Sequence, residues 1–379
     1  MKTLYDYIYL RGNILFSKSP FTEIDGLIFA LLSNIEYLTV YKKFNLYEKL
    51  SLKEVVDKFG ENGEYDNLSH ESKFVRQNLL LLKNLCSYKR YCDVKIFGYQ
   101  RDFRKECYTQ FSAIAFLLDD ETLVISFRGT DASLVGWKED FAMSFKERVG
   151  AQEDCLKYIN ELGIVDCKQI VTCGHSKGGN LAVYSAIKTT DEIKNKIKHV
   201  YNFDGPGFNK KIIESGQFEK LGIDKITTIV PQSSMIGILM QHEEPINVIY
   251  SSNKTGIFQH YPLTWEVDNN CLRRLGGTDF LSKNFDETSR LFLEKMSEED
   301  MSIFIDSVFT IFDENGAVTF RDVMINPART IRSLHQVHKE IPVEYKAILE
   351  LLAKSIMKSS AQIYSQPVKK ALLFNRRKK

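Results

Sequence analysis

Ile170-Val171-Thr172-Cys173-Gly174-His175-Ser176-Lys177-Gly178-Gly179-Asn180 runs from a short apolar strand through a sharp turn into a helix. Ser176 stands at the apex, with one glycine two residues before it and another two residues after. This Gly-x-Ser-x-Gly spacing is what a nucleophile elbow needs. The turn is strained, a side chain at Gly174 or Gly178 would collide with it, and the hydroxyl is pushed out above the sheet. The helix that follows, carrying Leu181, Ala182, Val183 and Ala186, aims its N-terminus at the same place. Its first N–H groups and its dipole favour negative charge, so the Lys177 N–H is expected to stabilise an oxyanion formed beside Ser176. The plain alternative is a glycine-rich turn with an incidental serine.

Outward from this stretch, extended runs alternate with helical ones. Towards the N-terminus lie Val94–Tyr99, Gln110–Leu118 and Thr122–Phe127, the last two joined by the acidic turn Asp119-Asp120-Glu121, which reads as a hairpin. A helix over 153–162, with Leu156, Ile159 and Leu162 on one face, leads into the strand before Ser176. Beyond Ser176 come a strand at His199–Phe203, a helix near Lys210–Leu221, and strands at Ile226–Val230 and Ile246–Tyr250. Such alternation implies an α/β chain with a largely parallel sheet. Residues 1–90 read as a helical N-terminal extension packed on the core 91–275. Residues 276–379 read as a helical C-terminal section with Ile303, Phe304, Val308, Ile311 and Phe312 on one face.

Composition narrows the function classes. Net charge is +2, with 51 basic against 49 acidic residues, so no global field recommends a nucleic acid as partner. Hydrophobic content of 44% and charged content of 26% are ordinary for a globular chain of 379 residues, long enough for a large core. Seven scattered cysteines without a C-x-x-C pair read as free thiols in a reducing compartment. No apolar run reaches the length of a membrane span, and Asp6, Arg11 and Asn13 interrupt the N-terminus where a signal peptide would be continuous. The expectation is cytoplasmic. Asp313-Glu314-Asn315-Gly316 has its glycine at the wrong offset for a calcium loop and reads as a turn, so no metal and no cofactor is expected. The end, 369–379, is basic with an apolar island, which allows weak contact with an anionic membrane surface.

A second chemical stretch is Phe127-Arg128-Gly129-Thr130-Asp131, with Trp137 and Asp140 a few residues on. A strand ending in Arg-Gly-Thr brings a flexible backbone and a hydroxyl to the edge where an oxyanion hole needs its second donor. Together with Gly-His-Ser-x-Gly-Gly, this pattern resembles the class 3 (fungal-type) lipases of the α/β-hydrolase fold. Within them, Gly-His-Ser-Lys-Gly-Gly-Asn-Leu-Ala and Asn202-Phe203-Asp204-Gly205-Pro206-Gly207-Phe208 resemble the bacterial Mbeg1-like family. The lipase resemblance spans roughly residues 90–270.

That resemblance implies Ser176 as nucleophile and Thr130 with the Lys177 N–H as oxyanion hole. It implies Arg128 as a structural guanidinium paired with a carboxylate, and His175 as a packing residue leaving the elbow away from Ser176. The fold's order of nucleophile, acid and histidine points to His260, in Gly256–Trp265, since His242 and His199 read as surface or edge residues. The lipase acid would follow Ile226–Val230, but that loop, Pro231-Gln232-Ser233-Ser234, has no carboxylate. Asp204 is the choice instead, directly after a strand that ends at the same sheet edge, with Glu243 or Glu244 as alternatives and a weaker dyad as a third. The implied activity is hydrolysis of a small-molecule or lipid acyl ester by a serine hydrolase. The alternative is a catalytically weak or inactive hydrolase fold that binds an acyl ligand or a protein partner.

Overall fold

Apolar runs of six to ten residues become the inner strands of one eight-stranded sheet in strand order β1 to β8. The strands are β1 (Leu50–Ser51), β2 (Lys95–Arg104), β3 (Thr109–Leu117), β4 (Thr122–Phe127), β5 (Gln169–His175), β6 (Ile197–Phe203), β7 (Ile226–Pro231) and β8 (Ile246–Ile249). Pairs up to β3–β4 are antiparallel, and every pair from β4 to β8 is parallel. The hairpin at Asp119–Glu121 therefore joins an antiparallel flank to a parallel centre. The architecture is that of an α/β-hydrolase. The computed structural model describes residues 2–309 apart from 43, 67, 69–70, 132–133, 255, 281, 284, 288, 290–296, 298, 300, 303–304 and 307–308.

Two groups of helices cover the sheet. The N-terminal ones are α1 (Leu4–Arg11), α2 (Glu23–Leu32), α3 (Leu52–Glu61), α4 (Lys73–Leu85) and α5 (Lys89–Cys92). In chain order α6 (Leu134–Ala142) comes next, and the second covering group follows it with α7 (Gly150–Leu162) and α8 (Lys177–Lys188). Strand alternation decides which face each helix meets. Val171, Cys173, Tyr201 and Phe203 share one core with α2, whose Leu27, Ile28, Phe29 and Leu31 are fully buried. Each such side chain contributes roughly 1.5–3 kcal/mol of burial. Thr172, pointing the other way, donates its hydroxyl to the Ala182 carbonyl of α8 at 3.1 Å.

Helix α2 starts with Thr22 and Asp25 in a capping box, and Asp25 does more than cap. It is wholly buried and receives Arg90 Nη2 at 2.8 Å, Tyr91 OH at 2.7 Å and Tyr7 OH at 3.0 Å. One carboxylate thus ties α1, α2 and α5 together, and removing it would strand a buried guanidinium at a cost of about 3–5 kcal/mol. The hairpin acid Asp119 accepts the Phe16 and Ser17 amides, both at 3.0 Å, which seats the N-terminal segment on the sheet's turn. The helix expected near Lys210–Leu221 is two short ones, Lys210–Ile213 and Gln217–Leu221, because Gly216 between them adopts φ 67.

The chain divides into two compact units, the first holding the described residues up to Thr130 and Glu147–Asp286. The second holds Asp131–Lys146 and the described residues from Glu287 on. In the second, Met301, Ile305 and Phe309 are buried at helical spacing, Lys138 pairs with Asp306 at 2.6 Å, and Phe141 meets Phe309 edge-on at 6.0 Å. Ile303, Phe304, Val308, Ile311 and Phe312, the turn at 313–316, the basic end 369–379 and the Trp137 side chain lie outside the described residues.

Candidate active site

Strand β5 ends at His175 and helix α8 begins at Lys177, leaving Ser176 alone in the turn at φ 59 and ψ −133. A non-glycine residue at positive φ is strained, and here the surroundings hold it in place. The Ser176 N–H donates to the Phe203 carbonyl at 2.9 Å, and its own carbonyl accepts from the Gly179 N–H at 2.8 Å. A Cβ on Gly174 would run into the Gly178 carbonyl, and one on Gly178 into the Phe127 carbonyl. The elbow is therefore wedged between β4 and β6, with its serine half-buried at the N-terminus of a twelve-residue helix.

The backbone after β4 passes directly over this turn. A Cβ at Gly129 would lie 2.7 Å from the His175 carbonyl and 3.3 Å from the Ser176 Cβ, so the strand end comes this close only because residue 129 is glycine. Thr130 follows, half-buried, one residue from that approach. Lys177 turns its side chain inward, with Nζ donating to the Gln110 carbonyl at 2.9 Å, which leaves its backbone at the mouth of α8. Arg128 pairs with Glu36 at 3.7 Å, and Glu36 also receives Arg101 at 2.9 Å.

Two segments 56 positions apart meet beside the elbow: His260 Nδ1 lies 2.7 Å from Asp204 Oδ2. Against a carboxylate Nδ1 is the donor, which leaves Nε2 of the neutral ring as a proton acceptor. Asp204 is wholly buried and sits at φ 51, where the chain turns off β6, with its N–H donated to the Ile229 carbonyl at 2.7 Å. Its other oxygen accepts from Ser234 Oγ at 2.5 Å and from the Gly237 N–H at 3.1 Å. The stretch 232–237 directly after β7, which carries no carboxylate of its own, thus supplies the donors that hold one arriving from β6. The His260 side chain keeps 22% of its surface exposed.

The loop bearing His260 is pinned on several sides. Gln259 accepts the Ser233 N–H at 2.8 Å and donates to the Asn253 carbonyl at 2.8 Å, while the Trp265 indole donates to the Gln259 carbonyl at 2.7 Å. Asn202 folds the turn after Asp204 by accepting the Gly205 N–H at 2.9 Å, and Asn180 of α8 donates to the Gly207 carbonyl at 2.8 Å. Neither Ser234, Gln259, Asn180 nor Asn202 stood out in the sequence. Asn180 and Asn202 stand at the ends of quoted motifs, which is the one available signal.

Three expectations are corrected. His242 is not a surface residue: its side chain is 3% exposed and its Nδ1 donates to Glu244 Oε1 at 3.1 Å. Glu244, an alternative acid, is committed to His242 and to the Thr228 hydroxyl. His199 is half-buried against Thr227, at 2.8 Å, and burial pushes its pKa down to about 4. His175 is buried, as a packing residue is, and its Nε2 in addition reaches the His260 carbonyl at 2.8 Å.

Among the described residues, no group of three or more His, Cys, Asp or Glu could hold a metal ion, and no helix is long and apolar enough to cross a membrane. All seven cysteines are unpaired. A cleft of about 380 Å³ beside Tyr41, Phe44, Tyr99 and Arg101 shares no residue with the Ser176 cluster.

No curated protein matches the chain. The crystal structure of M37 lipase is similar at 15% identity over 57% of this chain and 69% of its own, with a TM-score of 0.32. The Mbeg1-like family profile matches residues 85–310, which take in the whole sheet from β2 to β8 together with Ser176, Asp204 and His260. On that match the chain belongs to the Mbeg1-like family.

Proposed function

We propose that this chain is a serine hydrolase that cleaves carboxylic esters through an acyl-enzyme. Ser176 Oγ attacks the ester carbonyl while His260 Nε2 takes its proton, and the carbonyl electrons move onto an oxyanion. The Lys177 N–H, at the positive end of α8, and Thr130 hold that oxyanion. Collapse expels the alcohol, which leaves with the proton from His260. A water, deprotonated by the same nitrogen, then releases the acid and frees Ser176. Asp204 holds Nδ1 and stabilises the imidazolium formed in each half-reaction.

The observation that carries this reading is the 2.7 Å contact between Asp204 and His260, made at the strand ends beside a strained serine elbow. The rival, a fold that binds an acyl ligand without turnover, rested on the missing carboxylate after Val230. Asp204 supplies a carboxylate by another route, which supports turnover. The substrate class, a lipid or other acyl ester, follows from the lipase-like motifs around Thr130 and Ser176.

A fluorophosphonate probe tests the mechanism directly. The wild type is expected to label and Ser176→Ala to stay unlabelled, with ester turnover lost by a factor on the order of 10⁶. Labelling or turnover retained in Ser176→Ala would move the nucleophile elsewhere, and an unlabelled wild type would favour the binding protein.

A further inference from the structure

His175, the residue before the nucleophile, is fully enclosed and lies against His260 with ring centroids 4.3 Å apart and planes 35° apart. Its Nε2 is 2.8 Å from the His260 carbonyl oxygen. A carbonyl only accepts, so Nε2 must carry the hydrogen and the ring's tautomer is decided. Burial first, and then the neighbouring His260, hold the His175 pKa well below the usual 6.5. The ring is neutral at working pH, as it has to be beside an imidazolium. Trp265 closes the cluster edge-on to His175 at 6.1 Å.

We propose that His175 is a positioning residue for His260: its Nε2–H bond holds the backbone of the base from the same strand end that presents Ser176. The inference rests on the acyl-enzyme reading above for its kinetic consequence. Asp204 fixes the His260 ring from one side and bonds the ring alone, so the backbone has to be held by other groups. Among the described residues of 250–265, regular structure amounts to a four-residue helix, one 3₁₀ turn and the bridge of Ser251 to Trp265, so side-chain hydrogen bonds do much of the holding. The Trp265 indole anchors the carbonyl of residue 259, and His175 anchors the next one. Because His175 and Ser176 are consecutive, any shift of the elbow carries the base with it. A misplacement of about 1 Å costs on the order of 100-fold in rate, which makes such a shared anchor consequential.

Two substitutions separate the bond from the bulk. His175→Phe keeps a ring and removes the donor, whereas His175→Gln loses the ring and keeps an N–H at nearly the same place. His175→Phe is expected to lower kcat roughly 10- to 100-fold, the effect of one lost buried hydrogen bond, with KM nearly unchanged. A low-field proton resonance of His260 Nδ1–H against Asp204 is expected in the wild type and should broaden or vanish in His175→Phe. His175→Gln should restore both. Should His175→Phe lose its fold, His175→Met, which has reach without a donor, takes its place beside His175→Gln. A folded donorless variant with wild-type kcat and resonance overturns the proposal, as does a His175→Gln no better than the donorless variant. If the wild type neither labels nor turns over ester, the acyl-enzyme reading fails, and the resonance across the variants still decides the positioning role.

Discussion

His260 and His242 each lean an Nδ1 on a buried carboxylate that also accepts a hydroxyl, and the two pairs differ in how far the histidine is shut away. At His260 the distance is 2.7 Å, the second oxygen of Asp204 is held by Ser234 and Gly237, and the ring reaches the surface. At His242 the distance is 3.1 Å, both side chains are shut away, and His242 Nε2 and Glu244 Oε2 find no partner among the described residues. Burial would raise the Glu244 pKa, but hydrogen bonds from His242 and Thr228 and the His242 charge outweigh it, and the net shift is downward. A proton-transferring histidine needs one nitrogen secured and the other accessible. The first pair meets that condition and the second does not. A histidine beside an acid is therefore not by itself a signature of catalysis; the accessibility of its second nitrogen is what separates the two.

The comparison breaks first at the acids. Asp204→Asn keeps the shape and removes the charge, and is expected to cost up to roughly 10⁴ in turnover by analogy with the serine-protease triad. Glu243→Gln should leave kcat unchanged. Near-normal turnover in Asp204→Asn with loss in Glu243→Gln would make the acid assignment wrong while the hydrolase reading stood. The sealed pair should answer in stability instead. Glu244→Ala leaves a buried imidazole N–H unpaired and is expected to lower unfolding free energy by about 1–3 kcal/mol in urea titration, with turnover per folded molecule unaltered. A kcat that falls as far as in Asp204→Asn would erase the distinction between the pairs.

Thr130→Val sharpens the picture at the other end of the site. A slowing of roughly 10- to 1000-fold is expected, wide because the residue's backbone N–H survives the change. An unchanged kcat would remove the side chain from the oxyanion hole. The smallest effect is on acid stability. His199 has its pKa depressed from 6.5 to about 4, so below pH 6.5 the unfolded chain takes up a proton that the folded one refuses. Its contribution is complete above that pH and is lost as pH falls towards 4; His175, depressed for the same reason, acts in the same direction. His199→Gln should therefore lose less stability than the wild type between those limits in chemical denaturation, and equal slopes would refute the buried neutral ring.

The parts legible in the sequence were those whose physics is local. Gly174 is required by a clash with residue 178, four positions on, and β5, α8 and the Asp119–Glu121 hairpin announce themselves through periodicity and turn chemistry over a dozen residues, whereas the clash that requires Gly178 is with the distant Phe127. Asp204 could be placed at the right edge because it follows a strand directly. The burial of His242 and the bond His175 makes were not legible for the opposite reason: each depends on how loops fold back, 85 positions away for His175 and across β7 for the His242–Glu244 pair. Ser234 and Gln259 carry no pattern of their own, and a serine or glutamine in a polar loop looks the same whether it faces water or a buried carboxylate. The largely parallel sheet, the strained serine and the helix behind it can be read from the order of residues alone. Which carboxylate meets which histidine is settled in the folded chain, because that choice rests on hydrogen bonds between loops whose approach no local preference encodes.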